Sequence, residues 1–188
     1  MPRKKKSLPK NARQVFRGVI FDVWQWKQRM FDGSHATFEK LKRADTVNVI
    51  GVVGKKIIVL RQKQPDWKMH KNTLAGGRVE EGEAPLQAAK RELLEETGYV
   101  SKEWALWKKI DPYEKIVWTV HSFIARDCIK KQDPDPDAGE KLESKLVTFE
   151  ELLKLSDDPS FYEGELKNSF LRARFEKKYR EEFRKLLF

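Results

Sequence analysis

The chain has 188 residues, 39% hydrophobic and 36% charged, which suits one ordinary domain with a small appendage and enough apolar material for a buried core. Mean hydropathy is −0.71, and no apolar run approaches the roughly 20 residues that a bilayer span needs, so a helical membrane protein is excluded. The net charge of +10 sits at the ends: residues 1–14 carry six bases and no acid, residues 161–188 carry eight bases against five acids, and residues 15–160 balance 25 bases with 24 acids. A basic tail of this kind reads as a solvated arm before it reads as a nucleic-acid site. The basic start is followed by no apolar segment of the kind a secretory signal requires, so the expected location is cytoplasmic. A single cysteine, Cys128, and three scattered histidines offer neither an internal disulfide nor a zinc site.

In chain order, residues 1–14 lack periodicity and are expected to form a flexible basic arm. From Phe16 to Trp26, Val19, Phe21 and Val23 alternate as in a strand with one buried face. The turn signal Asp32-Gly33 and the run HATFEKLKR then complete a β-hairpin over residues 15–45. TVNVIGVV from Thr46 and KIIVLRQ from Lys56 predict a second hairpin, rich in β-branched residues and suited to the centre of a sheet. After a glycine-bearing loop, Pro85 and Gly98 bracket a helix. Strands are predicted from Trp104 and Lys115, followed by an acidic, proline-broken loop over 132–140, expected to be mobile, and a short strand at Leu146–Val147. Thr148 and Glu151 have the spacing of a capping box. Leu171, Phe175, Tyr179, Phe183 and Leu187 fall four apart, an apolar stripe on one C-terminal helix over 159–188.

The chemistry concentrates in GRVEEGEAPLQAAKRELLEETGY, residues 77–99. At about 100° per residue, Glu92, Glu95 and Glu96 fall within an arc of about 100°, beside an apolar arc of Leu86, Ala89, Leu93 and Thr97. Carboxylates crowded on adjoining turns repel one another, and a hard divalent cation is the candidate that offsets this. Oxygen donors without thiol or imidazole select Mg²⁺ or Mn²⁺. A bare EExxE pattern is more often a solvated face, but here the pattern is much longer.

Gly77, Glu83, Arg91, Glu92, Leu93, Glu95, Glu96, Gly98 and Tyr99 match the Nudix box, G-x5-E-x7-R-E-U-x-E-E-x-G-U. The odds of a chance match are well below roughly one in a million. The chain therefore resembles the Nudix hydrolases. The resemblance implies an α/β fold, the Nudix α/β/α sandwich with a mixed sheet, over residues 46–158, preceded by the antiparallel hairpin and followed by the C-terminal helix. It implies cleavage of a nucleoside diphosphate linked to another moiety, with Mg²⁺ or Mn²⁺ held by Glu92, Glu96 and Glu95, and with the backbone carbonyl of Gly76 as a further ligand. The same resemblance implies Glu95 as a ligand or the catalytic base, with Arg91 expected to orient the carboxylates, Gly77 and Gly98 to be bent-backbone positions and Glu83 to brace the loop.

The hairpin, Val59-Leu60-Arg61-Gln62 and Glu140-Lys141-Leu142-Glu143 look most like the ADP-ribose pyrophosphatase and nucleoside diphosphate sugar hydrolase branch. That likeness implies a homodimer built through residues 15–45, a base at Glu140 with Glu143 as its substitute, and a phosphate contact from Arg61. Trp67 reads as a packing anchor before a base-stacking group. The other functions that the sequence leaves open are an RNA 5'-pyrophosphohydrolase, a nucleoside polyphosphate hydrolase and a non-catalytic nucleotide-sensing module; nucleic acid is not the favoured partner.

Overall fold

The apolar stretch at Phe16–Trp26 does not run as one strand. In the computed structural model, which describes residues 7–136 and 138–188, it divides into β1 (Arg13–Arg17) and β2 (Asp22–Arg29). Gly18 N–H donates to the Phe21 carbonyl (3.1 Å), closing a turn whose tip residue, Val19, is 91% exposed. The expected buried alternation of Val19, Phe21 and Val23 is thus broken, because the hydrogen-bonded turn takes Val19 out of the sheet. Residues 1–6 of the expected basic arm lie outside the described residues, and Arg13 and Gln14 belong to β1.

Strand β2 pairs antiparallel with β3 (His35–Lys42) across a turn in which Asp32 accepts from the Ser34 amide and hydroxyl (2.9 and 2.7 Å). Next come β4 (Thr46–Val53), β5 (Lys56–Lys63) and β6 (Lys71–Thr73), then helix α1 (Pro85–Thr97). After α1 run β7 (Tyr99–Val100), β8 (Glu103–Ile110), β9 (Ile116–Val117), β10 (Val120–Arg126), β11 (Ile129–Lys130) and β12 (Lys141–Val147). The chain ends in α2 (Phe149–Lys154), a 3-10 turn (Leu155–Asp157), α3 (Gly164–Phe175) and α4 (Lys177–Leu187). Thr148 and Glu151 form the capping box that starts α2. Among the described residues no helix is long and apolar enough to cross a membrane.

The central sheet has the order β12-β5-β4-β10-β8, with β6 on β5; β10 lies parallel to β4 and the other pairs are antiparallel. Strand β9 pairs parallel with β3, so the N-terminal sheet, ordered β1-β2-β3-β9, is joined to the body through the β8–β10 connection. The period of two along the central strands separates two cores. Val47 and Val49 of β4 with Ile58 and Leu60 of β5 pack toward Ala88, Ala89 and Leu93 of α1. Ile50 and Val52 with Ile57 and Val59 pack on the opposite face against α2, α3 and α4. This is a sandwich of helices on both faces of a mixed sheet.

The C-terminal stripe is interrupted. Glu176 leaves the helical region (φ −105°, ψ 103°) and divides the segment into α3 and α4, which pack against each other. The buried face of α3 is Leu166, Phe170 and Ala173, and Phe175 is 79% exposed. On α4, Phe183 stacks on Trp107 (centroids 4.6 Å apart, planes 10° apart) and also meets Phe149 and Phe170. Truncating so enclosed a ring leaves a cavity. Phe183→Ala is expected to lower the unfolding free energy in urea by about 3–5 kcal/mol, whereas Phe175→Ala on the exposed side changes it by less than about 0.5 kcal/mol.

Candidate active site

Helix α1 begins at Pro85, where the Ala84 N–H donates to the Gln87 side chain (3.1 Å). It stops at Gly98, whose φ of +72° and N–H to Leu94 carbonyl bond (2.7 Å) form a left-handed cap. Any side chain at Gly98 would also collide with the chain beside it, since its Cβ would lie 2.0 Å from the Gln132 carbonyl oxygen. The loop after β11 is tied to this end of the helix by Lys131 N–H to Gly98 carbonyl (2.8 Å) and Asp135 N–H to Glu95 carbonyl (2.7 Å).

Arg91 organises the carboxylates. Its Nε donates to Glu83 (3.2 Å), Nη1 to Glu92 (2.8 Å) and Glu95 (3.0 Å), and Nη2 to Glu83 (3.2 Å) and the Arg78 carbonyl (3.0 Å). A planar guanidinium can hold several acceptors in fixed directions, which an ammonium cannot. The guanidinium holds the Glu83 carboxyl below its ordinary range, and Glu83 in turn accepts from the Glu80 amide (3.1 Å) within the loop.

Glu92 and Glu96 sit deeper. Burial pushes the Glu92 carboxyl up despite Arg91, and burial pushes Glu96, 5% exposed, well above the usual carboxylate range. The Gly76 N–H donates to Glu96 (2.7 Å) and opposes that shift. The loop passes so close that a Cβ on Gly76 would lie 2.2 Å from the Val47 carbonyl, and one on Gly77 would lie 2.3 Å from the Glu92 carboxylate.

Glu140, just before β12, reaches the same place. It accepts from Gln62 Nε2 and Gln64 Nε2, both at 2.9 Å, and its charge raises the pKa of both Glu92 and Glu96. Glu92, Glu96 and Glu140 line one cleft of about 1140 Å³ together with Gly76, Gly77 and Arg91. Glu95 lies outside that lining, paired with Arg91 and with its side chain 45% exposed. Among the described residues no three acidic, histidine or cysteine side chains close into a ready-made metal cage. The donor set is nonetheless all hard oxygen, buried and mutually repelling, which fits a hard divalent cation that completes its shell with phosphate oxygens and water.

Arg61 is not in this cleft. Alternation along β5 sends Gln62 to the α1 face with Leu60 and Arg61 to the opposite face, opposite Glu143 of β12. There Arg61 lines a separate depression with Lys63, Lys68 and Lys71. The arginines that line the acidic cleft besides Arg91 are Arg43 and Arg78. Two aromatic pairs also line it: Trp67 against Tyr162 (5.2 Å), with Lys71 Nζ 4.0 Å from the Trp67 ring centre, and Tyr113 stacked on Trp118 (6.2 Å, 19°), with Arg43 over Trp118 (4.7 Å). Cys128 is buried, with its thiol pushed up to about 11 by desolvation, and it takes no part in the site.

The NUDIX domain profile matches residues 42–165. The chain belongs to the Nudix hydrolase family. It is 29% identical over 157 residues to the ADP-ribose pyrophosphatase of Bacillus subtilis, covering 80% of this chain and 83% of that protein. It is 22% identical over 156 residues to the ADP compounds hydrolase NudE of Escherichia coli, covering 82% of this chain and 84% of that one. Among solved structures, a crystal structure of an ADP compounds hydrolase superposes with a TM-score of 0.75 at 21% identity, covering 95% of this chain and 99% of its own.

Several residues of the cleft carry no signature in the box: Asn48, Thr73, Glu163 and Glu165, together with Gln62 and Gln64. Asn48 is the one with a readable signal, a polar residue at an inward position of an otherwise apolar strand. The close approaches at the paired glycines make a sharp test. Gly77→Ala meets the movable end of the Glu92 side chain, so turnover is expected to fall by about 10-fold or more with the melting temperature nearly unchanged. Gly76→Ala meets the backbone of β4, so a loss of about 2 kcal/mol or more in stability is expected by urea unfolding.

Proposed function

We propose that the protein hydrolyses the pyrophosphate bond of ADP-ribose or a related nucleoside diphosphate sugar, giving a nucleoside monophosphate and a sugar phosphate. The observation that carries this reading is the convergence of Glu140 with Glu92 and Glu96 in one cleft flanked by two aromatic pairs. Glu92 and Glu96, with the Gly76 carbonyl and Glu95, are the residues that would hold Mg²⁺ or Mn²⁺. When bound, the cation supplies charge neutralisation at the phosphoryl oxygens and acidity to water.

The chain's own groups do the rest. Gln62 and Gln64 fix the Glu140 carboxylate by two hydrogen bonds, and Glu140 takes the proton of the attacking water. Glu143, on the far face of β12, is not in position to replace it in this reading. Arg91 is a positioning residue: it sets the spacing of Glu92 and Glu95 and anchors them to the loop through Glu83. Arg43 and Arg78, rather than Arg61, are the phosphate contacts, and the aromatic pairs offer flat surfaces on which a base can stack.

One panel with Mg²⁺ tests the reading: ADP-ribose, UDP- and GDP-sugars, dinucleoside polyphosphates, nucleoside triphosphates and 5'-triphosphate RNA, with products identified. Release of AMP and ribose 5-phosphate is the expected result; phosphate or pyrophosphate released from RNA or from triphosphates alone would overturn it. Within that assay, Glu96→Gln is expected to lower turnover by about 100-fold or more and to weaken Mn²⁺ binding measured by electron paramagnetic resonance. Glu140→Gln lowers kcat with little change in KM and leaves Mn²⁺ binding near that of the wild type.

We further propose a homodimer through the N-terminal sheet. Val15, Phe16, Val19 and Ile20 are between 50% and 91% exposed there, an apolar edge that a second copy related by a two-fold axis would cover. Light scattering at micromolar concentration is expected to give twice the chain mass, and a chain beginning at residue 44 is expected to run as a monomer.

A further inference from the structure

Away from the acidic cleft, charge collects a second time with the opposite sign. Arg61, Lys63, Lys68 and Lys71 line one depression of about 550 Å³, and no Asp or Glu is among its lining residues. Alternation along β5 sends Arg61 and Lys63 to the face opposite Gln62 and Gln64, which line the acidic cleft, so the two recesses lie on opposite faces of that strand. Among the described residues none of the four cations takes part in an ion pair. Glu143, the cross-strand neighbour of Arg61 on β12, does not pair with it and lies outside the lining.

Two polar side chains complete the lining, and both are already ordered. Asn72 Nδ2 donates to Asp158 (2.7 Å) and to Ser160 Oγ (3.2 Å), and its Oδ1 accepts from Lys145 (3.1 Å). Ser160 Oγ thus accepts from Asn72 and keeps its own proton for a further acceptor. Asp158, occupied by Asn72 and by the Ser160 N–H (2.7 Å), is not part of the lining. On another side, Lys71 Nζ lies 4.0 Å from the Trp67 ring centre and 4.7 Å from that of Tyr162, and both rings line the acidic cleft. Lys71 itself lines the depression and not the cleft, so this one aromatic pair is a wall between them.

Four cations held around one hollow repel one another, and an anion seated among them offsets that repulsion. We propose that the depression is a binding site for a phosphate monoester, separate from the site of hydrolysis. Such a group carries a charge of about −1.5 to −2 near neutral pH and three acceptor oxygens, enough to engage the Arg61 fork, neighbouring ammonium groups and the Ser160 hydroxyl together. A carboxylate brings about half that charge and one oxygen fewer. The volume of about 550 Å³ far exceeds a bare phosphate and falls within the range of about 300–1,000 Å³ typical of small-ligand sites, so the organic part of the ester has room. Nucleoside monophosphates, sugar phosphates and free phosphate share the chemistry that the cations would recognise. The first two are also the products of the proposed hydrolysis, but the site does not depend on that reading.

The test is calorimetric titration of the full chain, with Mg²⁺ present, by AMP, ribose 5-phosphate and inorganic phosphate, with adenosine as the uncharged control. None of the four holds an anhydride bond, so hydrolysis does not enter the measurement. At least one of the three phosphates is expected to show a binding event that the double variant Arg61→Gln, Lys68→Gln weakens by about 10-fold or more. The same event changes by less than about 2-fold in Glu96→Gln, which alters the acidic cleft, and in Lys177→Gln, Lys178→Gln, which removes equal charge from α4. Which of the three binds tightest identifies the occupant: the nucleotide, the sugar phosphate or the free ion. Both residues of the decisive pair are exposed, so the variant is expected to fold, as its circular dichroism checks. A wild type that binds none of the three at millimolar concentration would overturn the site. So would adenosine binding as tightly as AMP, loss of the event in Glu96→Gln, or equal weakening by the α4 pair, which would reduce the effect to general attraction by net charge. An inactive protein that still shows the event would remove the hydrolase reading and leave this site standing.

Discussion

Five carboxylates and one guanidinium meet around a short loop, a single helix and the segment before β12, and the arrangement stands only because each negative charge has a fixed answer. Arg91 reaches Glu83, Glu92 and Glu95 at once, the Gly76 amide reaches Glu96, and two glutamine amides reach Glu140. Leaving out the partner of Glu92, Glu96 or Glu140 would place an uncompensated charge in a partly desolvated cleft, where the cost is far greater than at a solvated surface. The glycine pair follows from the same requirement, since the loop must approach both β4 and Glu92 closely enough for its amide to reach Glu96. The helix is capped, the loop is tight and the end of β5 carries glutamines where the charges need them.

The two aromatic pairs and the buried polar residues Asn48, Thr73 and Glu163 extend the cleft beyond the carboxylates of the box. Glu163 begins α3, Asn48 lies on β4, Thr73 ends β6, and Glu140 precedes β12. Elements from both halves of the chain thus meet in one cleft. Residues far from the box in sequence are thereby placed beside it in space.

Helix α1 and its carboxylate face were legible because the 3.6-residue period, Pro85 and Gly98 all agreed, and because the box spacing is long enough to be specific. The central strands were legible from their β-branched alternation, and the same alternation, followed one residue further, separates Gln62 from Arg61. What could not be read was contact between distant segments: Glu163 and Glu165 flank the glycine that opens an ordinary-looking helix, and only the fold brings Glu165 to Asn48 and Glu163 to the Leu74 amide. The N-terminal strand failed at Gly18, where a local hydrogen-bonded turn overrode the apolar pattern. The C-terminal stripe failed at Glu176, since spacing of four cannot show that a helix breaks and turns between its members.

Phe183 and Leu187, each 1% exposed, seal a core whose other members begin at Ile50. Those contacts join residues separated by well over half the chain, and contacts of such separation form late because a long loop must close first. During synthesis, part of one face of the central sheet stays uncovered until α4 has left the ribosome. The acidic cleft draws on β4 and on the segment that opens α3, which α4 helps to hold in place. Nascent chains therefore carry the complete carboxylate set before they carry a finished pocket, and for that interval they present to the cell a greasy surface that the mature protein hides.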